Sequence, residues 1–187
     1  MGSGRISKIK TLSATWRHPT EIQFGVGRLQ ELPTICWRLH LTRPLLITNR
    51  KLSRRPFIRR ILASCDRQAI SIAIFDTIDS EPDGAMVKSG VNAYVEGGYD
   101  GIIAVGGGSV LDAAKAVALA ATVGPEAMWS YRLGISAQSS PLPAFPPIIA
   151  IPTTAGTGSE VDASAVILHS DSGTKISLYH PSLMPTI

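Results

Sequence analysis

Residues 104–117 read AVGGGSVLDAAKAV, three glycines and a serine set between an apolar run and an alanine-rich stretch. Glycine lets the backbone approach a ligand with no Cβ in the way. A helix beginning near Ser109 would add unpaired N–H groups and the positive end of its dipole. Together they suit a pyrophosphate. Ser109 either caps that helix or gives its hydroxyl to a phosphate. Asp112, three residues on, stands where a capping acid closes back on a helix N-terminus. A tight strand-to-helix turn with no ligand accounts for the same residues, so this loop alone decides nothing. No G-x-x-x-x-G-K-[ST] run is present, which argues against a P-loop nucleotide hydrolase. The G-x-G-x-x-G pattern is also incomplete: Gly25-Val26-Gly27 begins one, and Gln30 takes the last glycine position.

A second small-residue loop shifts the balance. Residues 152–160, PTTAGTGSE, follow another apolar run and carry hydroxyls at Thr153, Thr154, Thr157 and Ser159. A structural turn needs one or two such side chains. Four of them suit hydrogen bonding to ribose or phosphate oxygens. Two such loops after two buried strands favour a dinucleotide over a mononucleotide.

The elements that must carry these loops follow from apolar patterning. Short continuous apolar runs at residues 44–48, 70–75, 101–105 and 148–151 predict buried strands. Residues 52–62, 85–96 and 110–123 predict helices, with Pro56 in the first turn of the first. Residues 22–27 read as an edge strand or hairpin, residues 164–168 as a further strand, and residues 124–147 as irregular chain. Strand alternating with helix implies an α/β fold, a parallel sheet with helices on both faces. In such a sheet both loops lie at the carboxyl ends of strands, where ligands bind.

The 187 residues are 44% hydrophobic and 17% charged, enough for a single globular domain. Residues 1–187 read as one α/β domain, with residues 1–20 irregular. No apolar run approaches the roughly 18 residues of a membrane span, no secretory signal opens the chain, and Ile6 breaks the myristoylation pattern begun by Met1-Gly2. These readings point to a cytoplasmic protein without membrane partners. Cys36 and Cys65 lack metal spacing and read as free and buried. The net charge of +4 is uneven, since nine of the 18 basic residues fall between Arg38 and Arg67, opposed only by Asp66. No aromatic interleaving or nucleic-acid module accompanies them, so no nucleic-acid partner is expected.

GYDGIIAVGGGSVLDAAKAV together with PPIIAIPTTAGTGSEV resembles the iron-containing (group III) alcohol dehydrogenases, over residues 24–175. Dehydroquinate synthases share the fold, and the continuation Thr-Gly-Ser-Glu-Val favours the alcohol dehydrogenase branch. The resemblance implies the N-terminal, Rossmann-like half of a dehydroquinate synthase-like fold, and an oxidoreductase moving hydride between a small alcohol or aldehyde and NAD or NADP. By position, Gly106, Gly107, Gly108 and Ser109 would hold the pyrophosphate, with Asp112 beside it. Thr153, Thr154 and Thr157 would line the adenosine and ribose side, and Ser159 would approach the middle of the cofactor. Val166 would pack near the nicotinamide, and Lys175 would bond a ribose.

Two departures from the family pattern stand out. Where the family carries Thr-Asp after its first long strand, this chain has Thr48-Asn49, then Arg50-Lys51. An Asp repels a 2′-phosphate, whereas a neutral Asn beside two cations does not. NADP is therefore expected to bind at least as readily as NAD. In place of a Pro-Asn-Pro run stands Ser80-Glu81-Pro82, with Glu81 either replacing a cofactor contact or facing solvent. The family's Fe²⁺ or Zn²⁺ is held by one Asp and three His in a helical domain that this chain lacks. His18, His40, His169 and His180 form no metal-type pair and read as surface or loop residues. The chain thus reads as the cofactor-binding half of a metal-dependent dehydrogenase, inactive alone and self-associating. The alternative is a non-catalytic dinucleotide-binding module, truncated or decayed.

Overall fold

The computed structural model describes residues 13–134 and 142–187. Four parallel strands form its centre: β3 (Leu45–Ile47), β4 (Ala73–Phe75), β5 (Ile102–Gly106) and β6 (Ile148–Pro152), ordered β4-β3-β5-β6. Every residue of β3 and β5 is buried, because helices cover both faces. Helices α4 (Gly84–Glu96) and α5 (Gly108–Val123) pack on one face with Leu45, Ile47, Ile102, Ala104 and Ile148. Helices α1 (Leu32–Arg38) and α3 (Pro56–Asp66) pack on the other with Leu46, Ile103, Val105 and Ile149. Alternate residues of one strand therefore serve two separate cores. Cys36 and Cys65 are free and buried in the second, as the sequence implied.

Two antiparallel hairpins flank this centre. Strands β1 (Ser13–His18) and β2 (Thr20–Gly25) form the first, where irregular chain was expected up to residue 20; residues 1–12 lie outside the described residues. Strands β7 (Ser164–His169) and β8 (Thr174–Tyr179) form the second, and β8 was not anticipated. The expected helix over residues 52–62 is two helices, α2 (Arg50–Ser53) and α3. Pro56 opens α3, since a residue without an N–H fits the first helical position and holds the preceding Arg55 extended. The expected irregular stretch 124–147 contains a 3-10 turn at Ala127–Tyr131, and its residues 135–141 lie outside the described residues.

Of the four histidines read as surface or loop residues, His18 and His169 are the last residues of β1 and β7, and His180 is a loop residue. It follows β8 but is buried, its Nδ1 accepting the Ser182 N–H at 3.1 Å. No helix among the described residues is long and apolar enough to cross a membrane.

The order β4-β3-β5-β6 reverses direction between β3 and β5, which makes their carboxyl ends the crevice of this sheet. Thr48 closes that end from inside: fully buried, it donates its hydroxyl to the Val105 carbonyl at 2.7 Å. The covering helices meet closely. A Cβ at Gly90 of α4 would lie 2.6 Å from a methyl of Val117 on α5. Gly90→Val is therefore expected to cost at least about 2 kcal/mol through overpacking. A urea titration reads this as a lower midpoint at unchanged slope; an unchanged midpoint would show that the two helices separate freely.

Candidate functional site

The two small-residue loops meet at the carboxyl ends of β5 and β6. Gly106 pairs with Pro152 in the ladder, and the Thr153 N–H donates to the Gly106 carbonyl at 2.9 Å. Ile47 of β3 pairs with Ala104 of β5, so Asn49 comes level with Gly106 two residues further on. Threonine side chains of the second loop pack against the glycine backbone of the first. A Cβ at Gly107 would sit 3.1 Å from the Thr154 hydroxyl, and one at Gly108 would sit 2.8 Å from the Thr157 methyl. The glycines are thus needed for loop against loop as well as for open backbone.

Helix α5 begins at Gly108, with Gly107 as its N-cap and no side chain capping it. The opening N–H groups of a helix have no intrahelical partner, so this end is left with donors facing the crevice. The expected capping by Ser109 and Asp112 is not what forms. Ser109 is already inside the first turn, so its hydroxyl is past the capping position. Asp112 turns away from the N-terminus and accepts the Val166 N–H of β7 at 3.0 Å.

A cleft of about 320 Å³ opens beside the α5 N-terminus. It brings together Gly108, Ser109, Asp112, Thr157, Ser159, Val166 and Lys175, seven of the twelve residues singled out in the sequence. Thr153 and Thr154 face a second, larger groove of about 760 Å³, whose apolar lining includes Ile22, Phe24, Leu32, Ile35 and Ile151. Asn49 lines neither. It caps α2, its side-chain oxygen accepting the Leu52 N–H at 2.8 Å. Beside it Arg50 lies 3.5 Å from the Asp79 carboxylate, while Lys51 is exposed. Glu81 faces Lys175 across the first cleft at 2.5 Å, which answers where that carboxylate points.

Behind the cleft, and not lining it, is the buried Lys115, which the sequence reading passed over as one more residue of an alanine-rich helix. Its side chain is 0% exposed, and its Nζ donates to the carbonyls of Asp162 at 2.7 Å and Ser164 at 2.8 Å. Burial pushes its ammonium below the ordinary lysine range, and the charges of Asp112, Asp162 and Glu160 draw it back. Burial likewise pushes the Asp112 carboxyl up, countered by the Val166 N–H, the Lys115 charge and the Ser159 hydroxyl. Sequence offered one signal for this pair: Asp112 and Lys115 are three apart and share a helix face.

The chain matches the family model of iron-containing alcohol dehydrogenases over residues 19–187. It is similar to 4-hydroxybutyrate dehydrogenase of Cupriavidus necator, 37% identical over 167 residues, which cover 89% of this chain and 42% of that protein. A crystal structure of 1,3-propanediol oxidoreductase superposes with a TM-score of 0.77 at 29% identity, over 86% of this chain and 41% of the other. Sulfoacetaldehyde reductase from Bifidobacterium kashiwanohense, solved in complex with NAD⁺, superposes at 0.73 and 25% identity, again over 86% and 41%. This chain therefore spans less than half the length of these relatives.

The close approach of Thr157 to Gly108 yields a sharp expectation. Gly108→Ala forces the 152–160 loop outward and is expected to weaken dinucleotide binding at least about tenfold, roughly 1.4 kcal/mol. The melting temperature should move little, because Gly108 lies outside both cores. Titration calorimetry and a thermal melt read the two effects; unchanged affinity would show that the loop contact has no part in binding.

Proposed function

The chain belongs to the iron-containing alcohol dehydrogenase family, and on that premise we propose that it holds a nicotinamide dinucleotide across the α5 N-terminus. One observation carries the reading: two glycine loops meet at the crevice of a parallel sheet, beside a helix start that no side chain caps. The donor set fits such a cofactor. The uncapped N–H groups of Gly108 and Ser109 suit the pyrophosphate, with the Ser109 hydroxyl beside them. Thr157 and Ser159 offer hydroxyls to a ribose. Thr153 and Thr154 serve the adenosine side, and Val166 presents an apolar surface to a nicotinamide ring. Lys175 serves a ribose hydroxyl; its pairing with Glu81 leaves a net neutral couple there, poorly suited to a phosphate.

When bound, the nicotinamide supplies a hydride acceptor or donor for an alcohol or aldehyde carbon. The metal half of that chemistry is another matter. Among the described residues no group of three or more His, Cys, Asp or Glu is placed to hold a metal ion. These residues do not fit the family's iron or zinc centre. In this reading the chain is the cofactor-binding half of a cytoplasmic, self-associating dehydrogenase acting on a small alcohol or aldehyde, and it turns over no alcohol alone.

Cofactor choice follows from Asn49. Its carbonyl oxygen is used in capping α2, so the side chain brings no negative charge toward a 2′-phosphate. Asp79 offsets part of the Arg50 charge, which leaves Lys51 as the freer cation. NADP is expected to bind at least as tightly as NAD, and Asn49→Asp to shift the ratio toward NAD by about tenfold, the effect of about 1.4 kcal/mol of repulsion. Calorimetry at fixed salt measures both. Wild-type chain that binds NAD ten times more tightly would overturn the NADP reading, and absence of binding at millimolar concentration would overturn the cofactor site itself.

A further inference from the structure

Strand β7 is paired with β8 along one side only. Side by side along a strand, alternate residues present their backbone groups to the same edge. On the other edge of β7, and just before it, four such groups are held, none of them by a neighbouring strand. The Asp162 and Ser164 carbonyls accept from Lys115. The Val166 N–H donates to Asp112. The Leu168 N–H donates to the Pro82 carbonyl at 2.8 Å. One helix face, through two side chains three residues apart, thus holds three successive sites of a strand edge.

That edge is also a wall of the 320 Å³ cleft, since Asp162, Ser164, Val166 and Leu168 all line it. Val166 is 39% exposed there, although its N–H is held by Asp112. Lys115 stands below the wall with no exposure of its own. Its neighbours in the helix, Ala113, Ala114, Ala116, Val117 and Ala118, are all fully buried and apolar. A charge in such a row costs stability unless its partners are placed for it. An ammonium is also a stronger donor to a carbonyl than any neutral side chain, and its narrow stem passes between alanines where a guanidinium would not.

We propose that Lys115 is a positioning residue: by holding the Asp162 and Ser164 carbonyls it fixes the β7 edge, and with it the Val166 surface on which the nicotinamide end of a bound dinucleotide rests. This inference rests on the dinucleotide reading above. It separates two ends of one cleft. The α5 N-terminus holds the pyrophosphate with or without Lys115, whereas the nicotinamide end depends on it.

The test uses the full chain and compares the tighter-binding dinucleotide, in its reduced form, with its own ADP-ribose portion (2′-phosphorylated if the cofactor is NADPH). Wild type is expected to bind the dinucleotide more tightly. Lys115→Met should lower dinucleotide affinity about tenfold while ADP-ribose affinity stays within about twofold, the signature of a misplaced wall rather than a lost anion site. Amide exchange at Val166 should quicken, with the β5 amides unchanged. Asp112→Ala releases the Val166 N–H from the same edge without emptying the core, and should give the same split; it decides the matter if Lys115→Met does not fold. Equal losses for both ligands, or no loss for either, would overturn the positioning role while leaving the site reading intact. Wild type that binds neither ligand would overturn the dinucleotide reading, and this inference with it.

Discussion

Enclosure of α5 is the constraint on which the rest of the structure depends. Residues 110–120 of this helix are buried apart from Asp112, because α4, β5, β6 and β7 all pack against it. A helix apolar all round belongs in an interior, and five alanines between 113 and 120 keep it thin enough for its neighbours to close in. A thin, enclosed helix cannot tilt without opening a cavity, which costs on the order of 20 cal/mol per Å² of new surface. Its first turn is therefore fixed where β5 ends. The glycines of residues 106–108 complete the fit by admitting Val110, Thr154 and Thr157 to positions a Cβ would occupy.

What was legible in the sequence was whatever depends on local residue order. Continuous apolar runs marked the four parallel strands, most clearly β3 and β5, where burial on both faces leaves no alternation to hide. Both glycine loops were visible because each lies directly after its strand, and the family resemblance rested on the same residues. The misses share a different cause. Asp112 looked like a capping acid by spacing, but its partner is the Val166 N–H, 54 residues away. Lys115 was invisible as a buried cation because its partners are backbone carbonyls, which every residue carries. The split of α2 from α3 was a local signal read too weakly: Pro56 fits the start of a helix better than its interior, and Arg55 before it must be extended.

Two of the misses concern clefts. Twelve residues were expected around one cofactor; seven of them line the smaller opening, Thr153 and Thr154 line the larger, and Asn49, Gly106 and Gly107 line neither. Thr154 lines the larger groove, yet its hydroxyl lies close over Gly107, the residue before Gly108 of the smaller one. The loop is a ridge between the two, so residues on its opposite sides serve one elongated ligand only if that ligand crosses it. Sequence spacing places residues on a loop but cannot say which flank each one occupies. Tertiary contact with β2 and α1 decides that.

Strand edges need protection from pairing with other chains, and the sheets here solve the problem in three ways. Strand β4 is short, three residues at the end of the sheet. The outer edge of β6 is covered by the chain itself, with the Ala150 N–H donating to Ile187 and the Thr186 N–H to Ile148, both at 2.8 Å. The edge of β7 is covered by the side chains of α5 and the carbonyl of Pro82. Of these three, only in the last is the cover charged, and that edge is a wall of the smaller cleft. A neutral cover would protect an edge equally well. A lysine and an aspartate held beneath alanine packing place that wall at one height, so protection of the strand and construction of the site fall to the same two side chains.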